Sequence, residues 1–226
     1  TTGMALGSQS GAIADQLTDK ESPTKSPSLT ETVSLKDTVF VGDSLTVMMG
    51  NFIPGAVKAY KGAMQTGWMK TELLKVIADY KKGKHPGLKR VVIMGGFNDI
   101  SSTKGSRYVI NNLREMYTAA KAAGLSVVGC TIPDWDYENL QKTWVERWKK
   151  RGWGKEKGVY PYTAAELEQQ TLELNKWIFS QQGTLVDTAV DTYNGGFERS
   201  NDGIHRTTNG SKKMATSIMQ QANIQA

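Results

Sequence analysis

The chain has 226 residues, a formal net charge of +6 and 38% hydrophobic residues, a size that suits one α/β domain with a full core. A lone Cys130 cannot close an intramolecular disulfide, two histidines with no Cys or Asp cluster beside them leave no metal-ligand set, and no apolar run approaches the roughly 20 residues that cross a bilayer. The positive charge favours an anionic partner, but the lysines are dispersed and no nucleic-acid-binding motif accompanies them, so nucleic acid is not the expected partner.

Residues 1–34 are rich in Ser, Thr, Gly and Pro and read as a linker or N-terminal extension, with helical potential only around 12–17. The first residue is Thr and no basic-then-apolar leader follows it, which suggests a piece of a longer or matured chain. The folded domain is expected over 35–226. It opens with Val39-Phe40-Val41, a short buried strand, which meets Gly42-Asp43-Ser44 and then apolar Leu45, Val47 and Met48. A strand-to-helix turn at Gly42-Asp43 puts the Ser44 hydroxyl at the edge of a sheet and near free helix N–H groups, where a nucleophile with an oxyanion site could sit. The alternative is a helix cap and nothing more.

Further strand signals lie at 56–60, 90–94, 126–132 and 184–186. Val109, Leu113, Met116 and Ala120 form one apolar stripe that predicts a helix over 106–123, stopped by Gly124. Thr163-Ala164-Ala165-Glu166 is a capping box for a helix whose Leu167, Leu174, Ile178 and Trp177 face inward, and a last helix is expected from 209 or 210 to 222. Strands alternating with helices argue for a parallel sheet covered on both faces, with sites at the carboxyl ends of its strands.

That placement makes other strand ends informative. The strand ending at Met94 runs into Gly95-Gly96-Phe97-Asn98-Asp99, where Asn98 can present an amide N–H or simply form an Asx turn. Asp202-Gly203-Ile204-His205 precedes the last helix, and a spacing of three lets Asp202 touch the His205 ring. Gly62 follows the weaker second strand and reads otherwise as a turn glycine.

Gly42-Asp43-Ser44-Leu45, a lone glycine, Gly96-Phe97-Asn98-Asp99 and Asp202-Gly203-Ile204-His205, in that order, resemble the four blocks of the GDSL, or SGNH, hydrolases. The match covers nearly the whole folded part. It departs at the second block, where Lys61-Gly62-Ala63-Met64-Gln65-Thr66-Gly67 makes Gly67 a rival to Gly62. The resemblance implies a three-layer α/β/α sandwich with a central, mainly parallel sheet, and a serine esterase needing no cofactor and no metal. Ser44 would be the nucleophile, His205 its base and Asp202 the partner of the imidazole. The backbone N–H groups of Ser44 and Gly62 and the Asn98 amide would form the oxyanion hole. Asp43 and Asp99 would support the two turns.

A long connection, 133–162, holds Trp135, Tyr137, Trp144, Trp148, Trp153, Tyr160 and Tyr162 among Arg147, Lys149, Lys150, Arg151, Lys155 and Lys157. Connections of this length are usually lids or binding loops. Leu140, Trp144 and Trp148 at spacings of four also fit a helix that packs its tryptophans inward. The competing reading makes Trp135, Trp144, Trp148 and Arg147 a sugar-stacking platform with a basic rim that favours an anionic, acylated glycan. The expected function is removal of small acyl groups, chiefly acetyl, from a cell-surface or cell-wall polysaccharide, in an extracellular, cell-wall or virion-associated setting. The rivals are a lipolytic esterase or thioesterase with an apolar acyl tunnel, and a glycan-binding module that has lost activity.

Overall fold

The computed structural model describes residues 29–151 and 160–226; the helical potential at 12–17, most of the N-terminal extension and Trp153 fall outside them. Five strands, β2 (Thr38–Gly42), β3 (Val57–Tyr60), β4 (Arg90–Met94), β5 (Ser126–Cys130) and β6 (Thr188–Val190), form one sheet in the order β3-β2-β4-β5-β6, every neighbouring pair parallel. A second, two-stranded parallel pair joins β1 (Val33–Ser34) to β7 (Ile224–Gln225). Val33 is thus already buried in the folded part, just ahead of the expected start at Leu35.

Side chains alternate across a strand, so a strand covered on both faces must be apolar throughout. In β2, Val39 and Val41 join one core, and Phe40 joins the other. In β4, Val91 and Ile93 face the first core, Val92 and Met94 the second. The first core is completed by α2 (Thr66–Lys81), α4 (Ser106–Ala122) and α6 (Ala164–Ser180), through residues such as Met69, Leu73, Val109, Leu113, Leu174 and Ile178. The second is completed by α1 (Ser44–Met49) and α7 (Thr208–Gln221), through Leu45, Met49, Met214 and Ile218. The result is the expected three-layer α/β/α sandwich. A short α3 (Phe97–Ser101) and a longer α5 (Tyr137–Arg151) lie between β4 and α4 and between β5 and α6.

Most predicted elements fall within a residue or two of the observed ones. The Thr163–Glu166 capping box is formed in both directions, and Gly124 takes φ +81° after α4. The strand expected at 184–186 is a correction: β6 lies at Thr188–Val190. Val186 is fully buried, which gave the segment its strand-like look, but its N–H bonds back to the Gln181 carbonyl in a turn. Pairing with β5 begins only after Asp187, whose carboxylate accepts the Val127 N–H at 2.7 Å.

The order of the strands positions the site. Within the five-stranded sheet the chain starts in β2, steps to β3 on one side, then crosses to β4 on the other, so the crevice between the loops leaving β2 and β4 is a topological switch point, the kind of place where ligands of open α/β sheets bind. At the opposite end of the sheet the buried Arg90 guanidinium donates to Ser126 Oγ (2.8 Å) and to the carbonyls of Ala222 (2.6 Å) and Asn223 (3.1 Å).

Candidate active site

β2 ends at a glycine for a steric reason. A Cβ on Gly42 would collide with the Thr46 hydroxyl in the first turn of α1 and crowd the Met94 carbonyl at 3.1 Å. The tight turn lets Asp43 cap α1, its carboxylate accepting the Leu45 N–H at 3.0 Å, and makes Ser44 the first residue of that helix. The two roles that compete on sequence therefore fall on different residues: Asp43 is the cap, and the half-buried Ser44 hydroxyl faces away from it into a cavity.

Ser44 Oγ lies 2.9 Å from His205 Nε2, and His205 Nδ1 lies 2.5 Å from Asp202 Oδ2. These three groups form a continuous relay, joined across 161 positions of sequence. Asp202 Oδ1 accepts from the N–H groups of Ile204 (2.8 Å) and His205 (2.9 Å) and from the Ser200 hydroxyl (3.0 Å). Partial burial works against the Asp202 charge, but the His205 ring and these donors outweigh it and hold the carboxyl down at about 2. An ionised Asp202 fixes the Nδ1–H tautomer and leaves Nε2 as an acceptor toward Ser44.

Asn98 sits at the start of α3 beyond the end of β4, and its Nδ2 donates to the Met64 carbonyl at 3.0 Å. An amide carries two N–H donors, so one bond orients the group while the second remains for a ligand in the cavity that Asn98 lines. Gly62 lines the same cavity, with open space where a Cβ would stand, whereas Gly67 lies in the first turn of α2, next to the Tyr108 hydroxyl. Of the two rival glycines, the structure brings Gly62 to Ser44. The adjoining Ala63 takes φ +62°, an uncommon backbone state for a residue with a side chain.

Two buried carboxyls brace these loops. Asp99 accepts from the Thr66 N–H (3.1 Å) and hydroxyl (2.6 Å), and Asn112 Nδ2 donates to Thr66 Oγ1 at 2.9 Å, tying the β4 loop to the start of α2. Asp43 is wholly enclosed; burial, with Asp99 nearby, pushes its carboxyl up to about 7 against the opposing pull of the Leu45 N–H and His205.

The cavity has a volume of about 440 Å³, and α5 forms one wall of it through Asn139, Leu140, Thr143, Trp144 and Arg147. Trp144 is half-buried, stacked on Tyr160 (centroids 6.5 Å apart, 18° between planes), and the Arg147 guanidinium lies over its ring at 5.2 Å. Trp135 does not belong to this wall. It is 3% exposed and packs edge-on against Phe97 at 4.1 Å, so the platform expected at that position is core. The reason is geometric: Trp135 lies a few residues past the end of β5 and is drawn against Phe97 of α3. The side chain of Trp148 falls outside the described residues.

Asn139 and Thr143 line the cavity without having been picked out by the sequence, and Leu140 and Ile204, named there only for helix packing and as part of the last block, line it as well. Their types are unremarkable for a helix and a loop, and only the docking of α5 brings them there. Asn139 Nδ2 donates to the Asp202 carbonyl (3.2 Å), and the Asp136 N–H to the Gly203 carbonyl (2.8 Å). Gly203 takes φ +75° with Asp136 pressed where its Cβ would be. Arg206 is buried and donates to the carbonyls of Ile204 (2.7 Å) and Asp134 (2.5 Å) and to the Asp134 carboxylate (2.7 Å). No cluster of metal-ligating side chains occurs among the described residues.

This architecture has solved counterparts. A Bacteroides fragilis protein assigned as an acylhydrolase superposes with a TM-score of 0.60 at 18% identity, over 92% of this chain and 95% of that one. A GDSL-like lipase from Bacteroides thetaiotaomicron gives 0.55 at 14% identity, over 94% and 98%. The C-terminal catalytic domain of the peptidoglycan O-acetyltransferase A of Streptococcus pneumoniae gives 0.50 at 15% identity, over 84% and 93%. Neither a protein-family profile nor a curated protein sequence matches the chain. The chain has the fold of the GDSL, or SGNH, hydrolases.

Proposed function

We propose that the protein is a serine esterase of the SGNH type that removes small acyl groups, chiefly acetyl, from a polysaccharide. The observation that carries this reading is the relay from Ser44 through His205 to Asp202, opening into a cavity edged by Gly62 and Asn98. A serine hydroxyl is a weak nucleophile until a base takes its proton, and His205 Nε2 is within reach to do so. As Oγ bonds to the ester carbon, the carbonyl oxygen gains negative charge. The Ser44 N–H, the Gly62 N–H and the free N–H of Asn98 Nδ2 would receive it. His205 then returns the proton to the departing sugar oxygen, leaving an acyl-Ser44 that water, deprotonated by the same imidazole, hydrolyses. Asp202 stays ionised and steadies the imidazolium throughout.

The wall opposite supports a glycan as the alcohol side. Asn139, Thr143 and Arg147 mix hydrogen-bonding groups with the aromatic Trp144, the composition that suits a polyhydroxylated ligand. A structural neighbour named as a peptidoglycan O-acetyltransferase supports this reading. The test is release of acetate from a panel of acetylated polysaccharides by the wild type and Ser44→Ala. Release by the wild type alone is the expected result; acetate from neither, or equally from both, overturns it.

A lipolytic esterase is the second reading, favoured by Phe97, Leu140 and Ile204 in the same cavity and by neighbours named as lipases. It requires longer p-nitrophenyl esters to be cleaved better than the acetate.

A further inference from the structure

Asn139, Thr143 and Arg147 stand four residues apart along α5 and all line the cavity. At 1.5 Å rise per residue they form a polar ladder about 12 Å long, running from the site outward. Its inner end is fastened to the reacting centre by the bond from Asn139 Nδ2 to the Asp202 carbonyl. Its outer end carries the one arginine or lysine among the described residues of the lining. Arg147 is exposed and has no carboxylate partner among the described residues, while its guanidinium is braced over the Trp144 indole. Trp144 is in turn stacked on Tyr160, whose hydroxyl is anchored to the Ser101 carbonyl at 2.8 Å. A guanidinium held over a ring in this way loses less freedom on binding and has its N–H fork available to a planar or tetrahedral oxyanion. Trp144 thus supports Arg147 in this arrangement.

Resting on the esterase reading, we propose that Arg147 is an oxyanion subsite that makes the enzyme selective for anionic glycans, reading a carboxylate or phosphate on a sugar next to the acylated one. The ladder's length places that charge on a neighbouring unit of the polymer. Selectivity for charge is therefore a property of oligomers and polymers, and acetylated monosaccharides do not display it.

The test measures initial acetate release at low ionic strength from an acetylated polyuronate, its carboxyl-reduced counterpart and an acetylated sugar-phosphate polymer, with acetylated methyl glycosides, charged and neutral, as monomer controls. The wild type is expected to prefer at least one anionic polymer over the neutral one by about tenfold or more in kcat/KM, the scale of one charge-assisted hydrogen-bonding contact. Preference for the uronate alone assigns the subsite to carboxylates, and preference for the phosphate polymer assigns it to phosphates. Arg147→Ala abolishes the preference, mainly through KM, and Arg147→Lys, which keeps the charge but not the fork, retains part of it. Equal rates on charged and neutral polymers, or a preference that survives Arg147→Ala, overturns the subsite while leaving the esterase intact. Loss of all acetate release, with p-nitrophenyl acetate also inert, overturns the esterase reading and the subsite with it.

Discussion

At the scale of single residues, the site divides into groups that meet substrate and groups that aim them. On the proposed mechanism Asn98 belongs to the first kind: its amide keeps one N–H on the Met64 carbonyl, and the residue lines the cavity. Asn98→Ala is expected to lower kcat on p-nitrophenyl acetate by about 10²–10³, or roughly 3–4 kcal/mol of barrier, the usual cost of losing an oxyanion donor. The melting temperature should move far less than the rate. Asp43 belongs to the second kind. Its carboxyl titrates near 3.8 when unfolded and about 7 when folded, so the folded protein holds this proton more tightly. Its contribution to stability is then full below pH 4, falls as the pH rises through that window and levels off above 7. Asparagine can accept the same Leu45 N–H without ionising, so Asp43→Asn should flatten the decline in melting temperature between pH 4 and 7. A decline of equal depth in the variant would assign the effect to other groups.

At the scale of elements, the loop carrying Asp202 and His205 is set by α5 as much as by α7. Arg206, one residue past the imidazole, joins Ile204 on its own loop to Asp134 at the approach to α5. Arg206→Ala strips two carbonyls of their donor at about 1–3 kcal/mol apiece and should cost about 3 kcal/mol in urea unfolding. It should also depress turnover, because His205 loses its lateral support.

The same element shows where sequence reading reaches and where it stops. The stripe in α4 and the capping box of α6 were legible because their apolar and capping residues have one role each. α2 was left without bounds, although Met69, Leu73, Val76 and Ile77 are all buried, since Lys70, Lys75 and Lys81 read as dispersed surface charge. In α5 the spacing of Leu140 and Trp144 fits inward and outward packing equally well. Leu140 proved buried, and Trp144 sits half in the core and half in the cavity wall. Ser44, Asn98, Asp202 and His205 were readable because each follows or precedes an element boundary in a short, distinctive string. Asn139 and Thr143 were not, because helix docking alone gives them their place.

At the scale of the whole molecule, the sheet has two ends with different work. The end holding the carboxyl termini of β2 and β4 carries the cavity, strained Ala63 and the relay. The other end is a clamp, in which Arg90 gathers the Ala222 and Asn223 carbonyls while β1 pairs with β7. Deleting 224–226 removes that pairing and the buried Ile224, and should lower unfolding free energy by about 1.5–3 kcal/mol, the value of burying one such side chain. The relay at the far end should be unchanged, so kcat below the new melting transition is expected to stay within about twofold of wild type. The central strands were legible from sequence because they are apolar on both faces, whereas β6 was misplaced because a buried turn residue, Val186, has the composition of a strand.

The clamp also fixes where the first described residue stands. Leu29, whose carbonyl accepts from Asn223 Nδ2 at 2.6 Å, enters at the pole remote from Ser44. A solid support attached at Leu29 itself would stand at that pole and leave the mouth of the cavity turned away from it.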